Sequence, residues 1–187
     1  MMFHRFYFLA FFCLMMFNLT AQENESSILS FSGDVNFHSD APQEQIRAQS
    51  TKVVGVIDTL RNTFAFQVPV KSFDGFNSDL QRQHFNENYM ESNVYPQLTY
   101  TGKILAPINY QKPGIYQVKT KGSFRIHGVE GEEIIENTIE VQENRISILS
   151  DFYIRLADYD IRIPRIVQMK IAPLIHIQLE VKNTPKP

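Results

Sequence analysis

The sequence predicts an all-β, antiparallel fold of about eight strands, and three observations point to it. Apolar and polar residues alternate in run after run, which is the period of a strand with one face buried. The runs are joined mostly by short stretches rich in Gly, Pro, Asn or Glu, as hairpins require. Only one segment has helical spacing, so the strand–helix rhythm of a parallel sheet is missing. A closed barrel and a sandwich of two sheets both satisfy this pattern.

Residues 1–21 are set aside first. Phe6 to Phe17 is an unbroken apolar run of twelve residues, preceded by His4 and Arg5 and followed by Asn18, a Leu19 larger than usual for its place, Thr20 and Ala21. A bilayer core needs roughly twenty residues, so this run reads as a secretory signal peptide with a mature start at Gln22. The expected location is periplasmic or secreted, with no stable transmembrane anchor. Cys13, the only cysteine, lies inside that run, and Phe11 and Phe12 before it argue against a lipid-anchoring site. The mature domain, 22–187, then has no disulfide and must be held by its core.

Within that domain Phe31, Gly33, Val35 and Phe37 share one face of a first strand. Residues 41–50 suit a helical turn. Val54 and Val56 open a second strand, and Phe64, Phe66, Val68 and Val70 mark a third, in which Pro69 implies an edge or a bulge. Asn77 and Ser78 cap a helix over 78–91 with Leu80, His84, Phe85 and Tyr89 on its apolar face, and Pro96 stops it. Alternation resumes from Leu98 to Leu105. After a loop holding Pro107 and Pro113, Tyr116, Val118, Phe124 and Ile126 share a face. A turn is expected over 128–133, then strands through Ile135, Ile139 and Val141, and through Ile146, Ile148, Phe152, Ile154 and Leu156. Ile171, Ile175, Ile177, Leu179 and Val181 close the pattern.

Composition removes several functions. The mature chain carries 17 basic and 20 acidic side chains without long runs of either sign, a poor surface for nucleic acid. Four histidines remain, His38, His84, His127 and His176. With Ile126 and Ile175 facing inward, His127 and His176 face outward, so no interior metal site is expected. His84 is read as bonding backbone near Tyr95. Glu130, Glu132, Glu133, Asp158 and Asp160 read as solvated turn charges rather than an acid–base pair. No nucleophile elbow or phosphate loop is present, so neither an enzyme nor a cofactor is expected.

The block HFNENYMESNVYPQLTYTGKI, 84–104, joins a polar Asn/Glu-rich helix to a strand through Tyr95-Pro96 and ends at Gly102-Lys103. It resembles the YceI-like family of small bacterial barrels that bind polyisoprenoids and related lipids. Weaker wording extends the resemblance to GDVNFHSDAP (33–42), KGSFRIHGV (121–129) and FYIRLADYDIRIP (152–164). The loop over 106–114 has no family wording and would reshape the mouth.

The resemblance selects the barrel: all-β, antiparallel, eight-stranded and lipocalin-like, with one short helix. It implies that the inward stripe lines a tunnel for an amphiphilic lipid, a polyisoprenoid or an isoprenoid quinone, held for transport or sequestration. Strand parity then assigns the wall to Phe64, Phe66, Val68, Tyr100, Phe124, Ile126, Phe152, Ile154, Ile175 and Ile177. The helix and the loop near Pro107 would cover the mouth, and Tyr100 would meet a headgroup. The rival reading is a filled barrel acting through its outer surface as a stress or protein-interaction module. A metal-assisted hydrolase, the third reading, needs histidines to converge.

Overall fold

The computed structural model describes residues 27–183, so the expected signal peptide lies outside the described residues. Eight strands follow one another: β1 (Ile28–Asp40), β2 (Gln45–Asp58), β3 (Thr63–Pro69), β4 (Gln97–Ile104), β5 (Gly114–Ile126), β6 (Val129–Val141), β7 (Ile146–Arg155) and β8 (Leu174–Asn183). Each pairs antiparallel with its predecessor, and β8 returns to β1, with Phe31 opposite Asn183 and His38 opposite His176. The sheet is therefore a closed barrel rather than a sandwich. Closure pairs the long β1 on both sides and leaves no sheet edge among the described residues.

The odd strands run toward one end, called upper here. That end carries the connections 41–44, 70–96, 127–128 and 156–173, while 59–62, 105–113 and 142–145 lie at the lower end. The lower end is packed shut by Phe31, Val118, Val141, Ile146 and Val181, all buried. Ala106, Ile108 and Tyr110 of the 105–113 loop pack against this cluster. The Tyr116 hydroxyl reaches the Asn109 and Lys112 carbonyls at 3.2 and 3.0 Å and holds the loop there.

The long upper connection begins with helix α1 (Asp79–His84). Ser78 caps it by accepting from the Gln81 backbone N–H at 3.2 Å, while the Gln81 side chain accepts from the Asn77 N–H at 3.1 Å. This is a capping box displaced by one residue. The helix continues as a wider turn, with the Met90 N–H donating to the Phe85 carbonyl at 2.9 Å, and stops where Glu91 takes a left-handed φ of 42°. Pro96 thus stands beyond the helix end and does not terminate it.

Other expectations also change. The β5–β6 turn is only His127-Gly128, with φ of 51° and 78°. Two successive left-handed residues suit the twist of a two-residue hairpin, and Gly128 accepts this without strain. Residues 129–133 belong to β6, where Glu130 lies 3.9 Å from Arg125 and Glu132 pairs with Lys121 across the strands. Pro69 ends β3 opposite Gln97, at neither an edge nor a bulge. β2 begins at Gln45, so 41–50 holds a hairpin and no helical turn. Ile171 falls in the β7–β8 connection, not in β8.

Candidate functional site

Along the strands one parity is buried and the other exposed, with β2 changing parity between Ser50 and Val53 where its register with β1 shifts, and the inward side chains bound a cavity of about 530 Å³ inside the barrel. That volume lies within the range of small-molecule sites. All ten residues assigned from strand parity line it: Phe64, Phe66 and Val68 from β3, Tyr100 from β4, Phe124 and Ile126 from β5, Phe152 and Ile154 from β7, and Ile175 and Ile177 from β8. Their rings lie side by side along the wall. Tyr100 stacks on Phe124 with centroids 4.1 Å apart and sits 4.7 Å from Phe64, while Phe124 and Phe152 are 5.6 Å apart. Gly55 makes this wall possible, because a Cβ there would lie 2.1 Å from the Phe66 ring.

Below the mouth, where Ser39, Glu44, Gln67 and Thr99 also border the cavity, the remaining wall is apolar except for one strip. Tyr100 Oη lies 3.1 Å from Thr120 Oγ1, Asn137 Nδ2 donates to Thr120 Oγ1 at 3.0 Å, and Ser150 Oγ donates to Asn137 Oδ1 at 2.6 Å. These four side chains border the cavity on adjacent strands β4 to β7. Burial raises the Tyr100 hydroxyl above its ordinary range, and the nearby Glu133 charge acts in the same sense against the lowering bond to Thr120. The phenol is therefore neutral near pH 7 and remains a hydrogen-bond donor.

The cavity opens upward, between α1 and the β7–β8 connection. Leu80, Gln81 and His84 border it on one lip and Val167, Lys170 and Ile171 on the other. Beneath the first lip Phe37 stacks on Phe85 at 5.5 Å, and Phe73 and Phe76 lie 5.6 and 5.9 Å from Phe37. The helix, expected from the sequence as a cover, thus forms one side of the mouth. The loop near Pro107 does not, because it lies at the closed lower end.

The histidines do not converge. His38 and His176 share the outer wall with ring centroids 5.9 Å apart, and His176 Nε2 lies 2.6 Å from Asp151. His127 Nε2 is 2.7 Å from the Glu91 carboxylate and its Nδ1 is 3.3 Å from the Tyr159 carbonyl, so it ties together three upper connections. It is His127, with ring centroids 5.0 Å apart, that meets Tyr95, whereas the exposed His84 borders the mouth. Among the described residues no three His, Cys, Asp or Glu side chains gather as a metal site.

Sequence reasoning missed Thr120, Asn137 and Ser150 of the polar strip and the second lip of the mouth. Thr120 and Asn137 have the inward parity of Val118 and Ile139, a signal present in the chain. Nothing local marks Phe73, Phe76, Val167 or Lys170, which reach the cavity only through the folding of long connections.

The model of the YceI-like domain matches residues 15–183. Among solved structures, a polyisoprenoid-binding domain from Saccharophagus degradans, implicated in plant cell wall breakdown, aligns with a TM-score of 0.68 at 15% identity, covering 83% of this chain and 98% of that one. BcnA of Burkholderia cenocepacia gives 0.66 at 14% identity, with 83% and 96% covered. A YceI protein of Campylobacter jejuni gives 0.59 at 16%, with 74% and 85% covered. These likenesses establish the barrel. No curated protein matches. From the breadth of the domain match, and with the barrel to support it, this chain belongs to the YceI-like domain family.

Proposed function

We propose that the protein binds one amphiphilic lipid, a polyisoprenoid or an isoprenoid quinone, in the barrel cavity, and carries or sequesters it in an exported compartment. The observation that carries this reading is an apolar cavity closed below and open above. A slender hydrocarbon replaces water along such a wall, and no reactive group is required. Burying about twenty tail carbons at roughly 0.8 kcal/mol each supplies about 16 kcal/mol, against an association cost of about 4 to 15. The ten parity-assigned residues serve as the tail wall. Tyr100, with the strip of Thr120, Asn137 and Ser150, serves as a hydrogen-bonding station for an oxygenated headgroup. Family membership and the binding named for the Saccharophagus domain support the choice of lipid. The apolar run before Ala21 supports export.

The decisive experiment is mass spectrometry of an organic extract from protein purified out of its native host. A prenyl lipid in near-stoichiometric amount is expected. Extracts with no lipid, or with only the bulk phospholipid mixture, would overturn the reading.

A further inference from the structure

The upper lip formed by 161–171, IRIPRIVQMKI, stands apart from the rest of the surface. It carries Arg162, Arg165 and Lys170, no acidic residue, five aliphatic residues and Met169. All three cations are exposed, and among the described residues none has a carboxylate within ion-pair distance. The apolar side chains divide between two faces. Val167 and Ile171, four apart on a single turn, border the cavity, whereas Ile166 is 90% and Met169 49% exposed. The segment is held in this pose, since the Gln43 N–H donates to the Met169 carbonyl at 2.8 Å and the Ala172 N–H to Ser39 Oγ at 2.9 Å.

One exposed isoleucine on a soluble protein is ordinary. Here two exposed apolar side chains stand among three unpaired cations at the entrance of an apolar cavity. Cations among projecting apolar side chains match the interface of a bilayer with anionic headgroups, where the apolar tips enter the headgroup region and the cations meet phosphate. We infer that this lip docks the protein on an anionic phospholipid bilayer, with the mouth facing the membrane. The opposite lip carries exposed Asp79 and Glu87 and one exposed cation, Arg82, which is paired with Asp74 at 3.4 Å; it offers an anionic surface no net attraction, so the molecule sits tilted onto 161–171 with α1 turned away. Docking itself depends only on the lip. Its use in loading or delivering lipid rests on the function proposed above.

The test is co-sedimentation with vesicles of phosphatidylcholine alone and of phosphatidylcholine mixed with phosphatidylglycerol, run on the mature protein with lipid extracts of every variant analysed in parallel. Binding is expected to the mixed vesicles only, and to fall with added salt. Because each cation near an anionic surface contributes about fivefold, the triple variant Arg162→Gln, Arg165→Gln, Lys170→Gln should lose roughly a hundredfold in affinity. Ile166→Glu, at a site too exposed to disturb the core, should lose about tenfold or more, while Ile115→Glu on the outer wall, itself 69% exposed, should bind as the parent does. Absent binding, equal binding by all variants, or equal affinity for both vesicles would overturn the inference. So would finding that Ile166→Glu only abolishes a concentration-dependent self-association, which would make the lip a contact between copies. Vesicle binding with no prenyl lipid in the extracts would refute the ligand assignment and leave docking intact.

Discussion

Replacing Ile177 by Glu tests the cavity most directly, because Ile177 packs against both buried clusters of the core, the lower one around Phe31 and Val181 and the upper one around Ile126 and Ile154. Its neighbours across the ladder are Phe37 on β1 and Phe152 on β7, both of which line the cavity with it. In the empty barrel the new carboxylate faces open space, but a hydrocarbon tail entering beside it must strip its water. The cheapest escape is protonation, which at pH 7 costs about 1.4 kcal/mol for each of roughly 2.7 units above the ordinary Glu value of about 4.3, or about 4 kcal/mol. Loss of the isoleucine–tail contact adds about 2 kcal/mol. The sum, about 6 kcal/mol, weakens lipid binding by roughly four orders of magnitude. Gln178 is exposed on the opposite face and donates to Asp151 at 3.1 Å. Glu there would crowd two carboxylates, so Gln178→Lys, which keeps a donor and adds a charge, is the better control. Titration with a fluorescent prenyl lipid, alongside circular dichroism and thermal melts showing both variants folded, reads the difference. A folded Ile177→Glu protein that binds as well as the parent, or a Gln178→Lys protein that alone fails, would refute the assigned face.

Three further outcomes are expected. Gly55→Ala forces the Phe66 ring off its seat and should cost about 1 to 3 kcal/mol, seen as a lowered chemical-denaturation midpoint with an unchanged slope. Asp58, in the β2–β3 turn, accepts from the Arg61 side chain at 2.6 Å and from the backbone N–H groups of Arg61 and Leu60 at 3.0 and 2.9 Å. The Arg61 hydrogen bonds hold its carboxyl below the usual range, so it favours the fold above its unfolded value near 3.8, and this contribution fades as pH falls through the lower folded value. Asp58→Asn should therefore lower the melting temperature at neutral pH and flatten its decline in acid, and identical acid profiles for variant and parent would sink this account. Finally, N-terminal sequencing of envelope material should begin near Gln22, and a cytosolic protein retaining residues 1–21 would overturn the export assignment.

Much of the barrel was legible because its information is local. A period of two is imposed by the pleat of each strand, so Phe64, Phe66, Phe124, Ile126, Ile175 and Ile177 could be assigned to one wall without knowing how the strands pair. The Ser78 cap was equally visible, since it depends on neighbours three residues away. Parity also marks Thr120 and Asn137 as inward, but only tertiary structure joins them to Tyr100 and Ser150 in one strip. Barrel against sandwich could not be decided from periodicity, because closure is the pairing of β1 with β8, which lie at opposite ends of the domain. The open end was beyond reach for the same reason. No local period tells at which end the connections 105–113 and 156–173 lie, yet Ala106, Ile108 and Tyr110 pack onto the core of one end while Val167, Lys170 and Ile171 border the mouth at the other. Strand faces follow from the local backbone. The cavity's opening, its polar strip and its basic lip depend on contacts between residues distant in the chain, which no local period encodes.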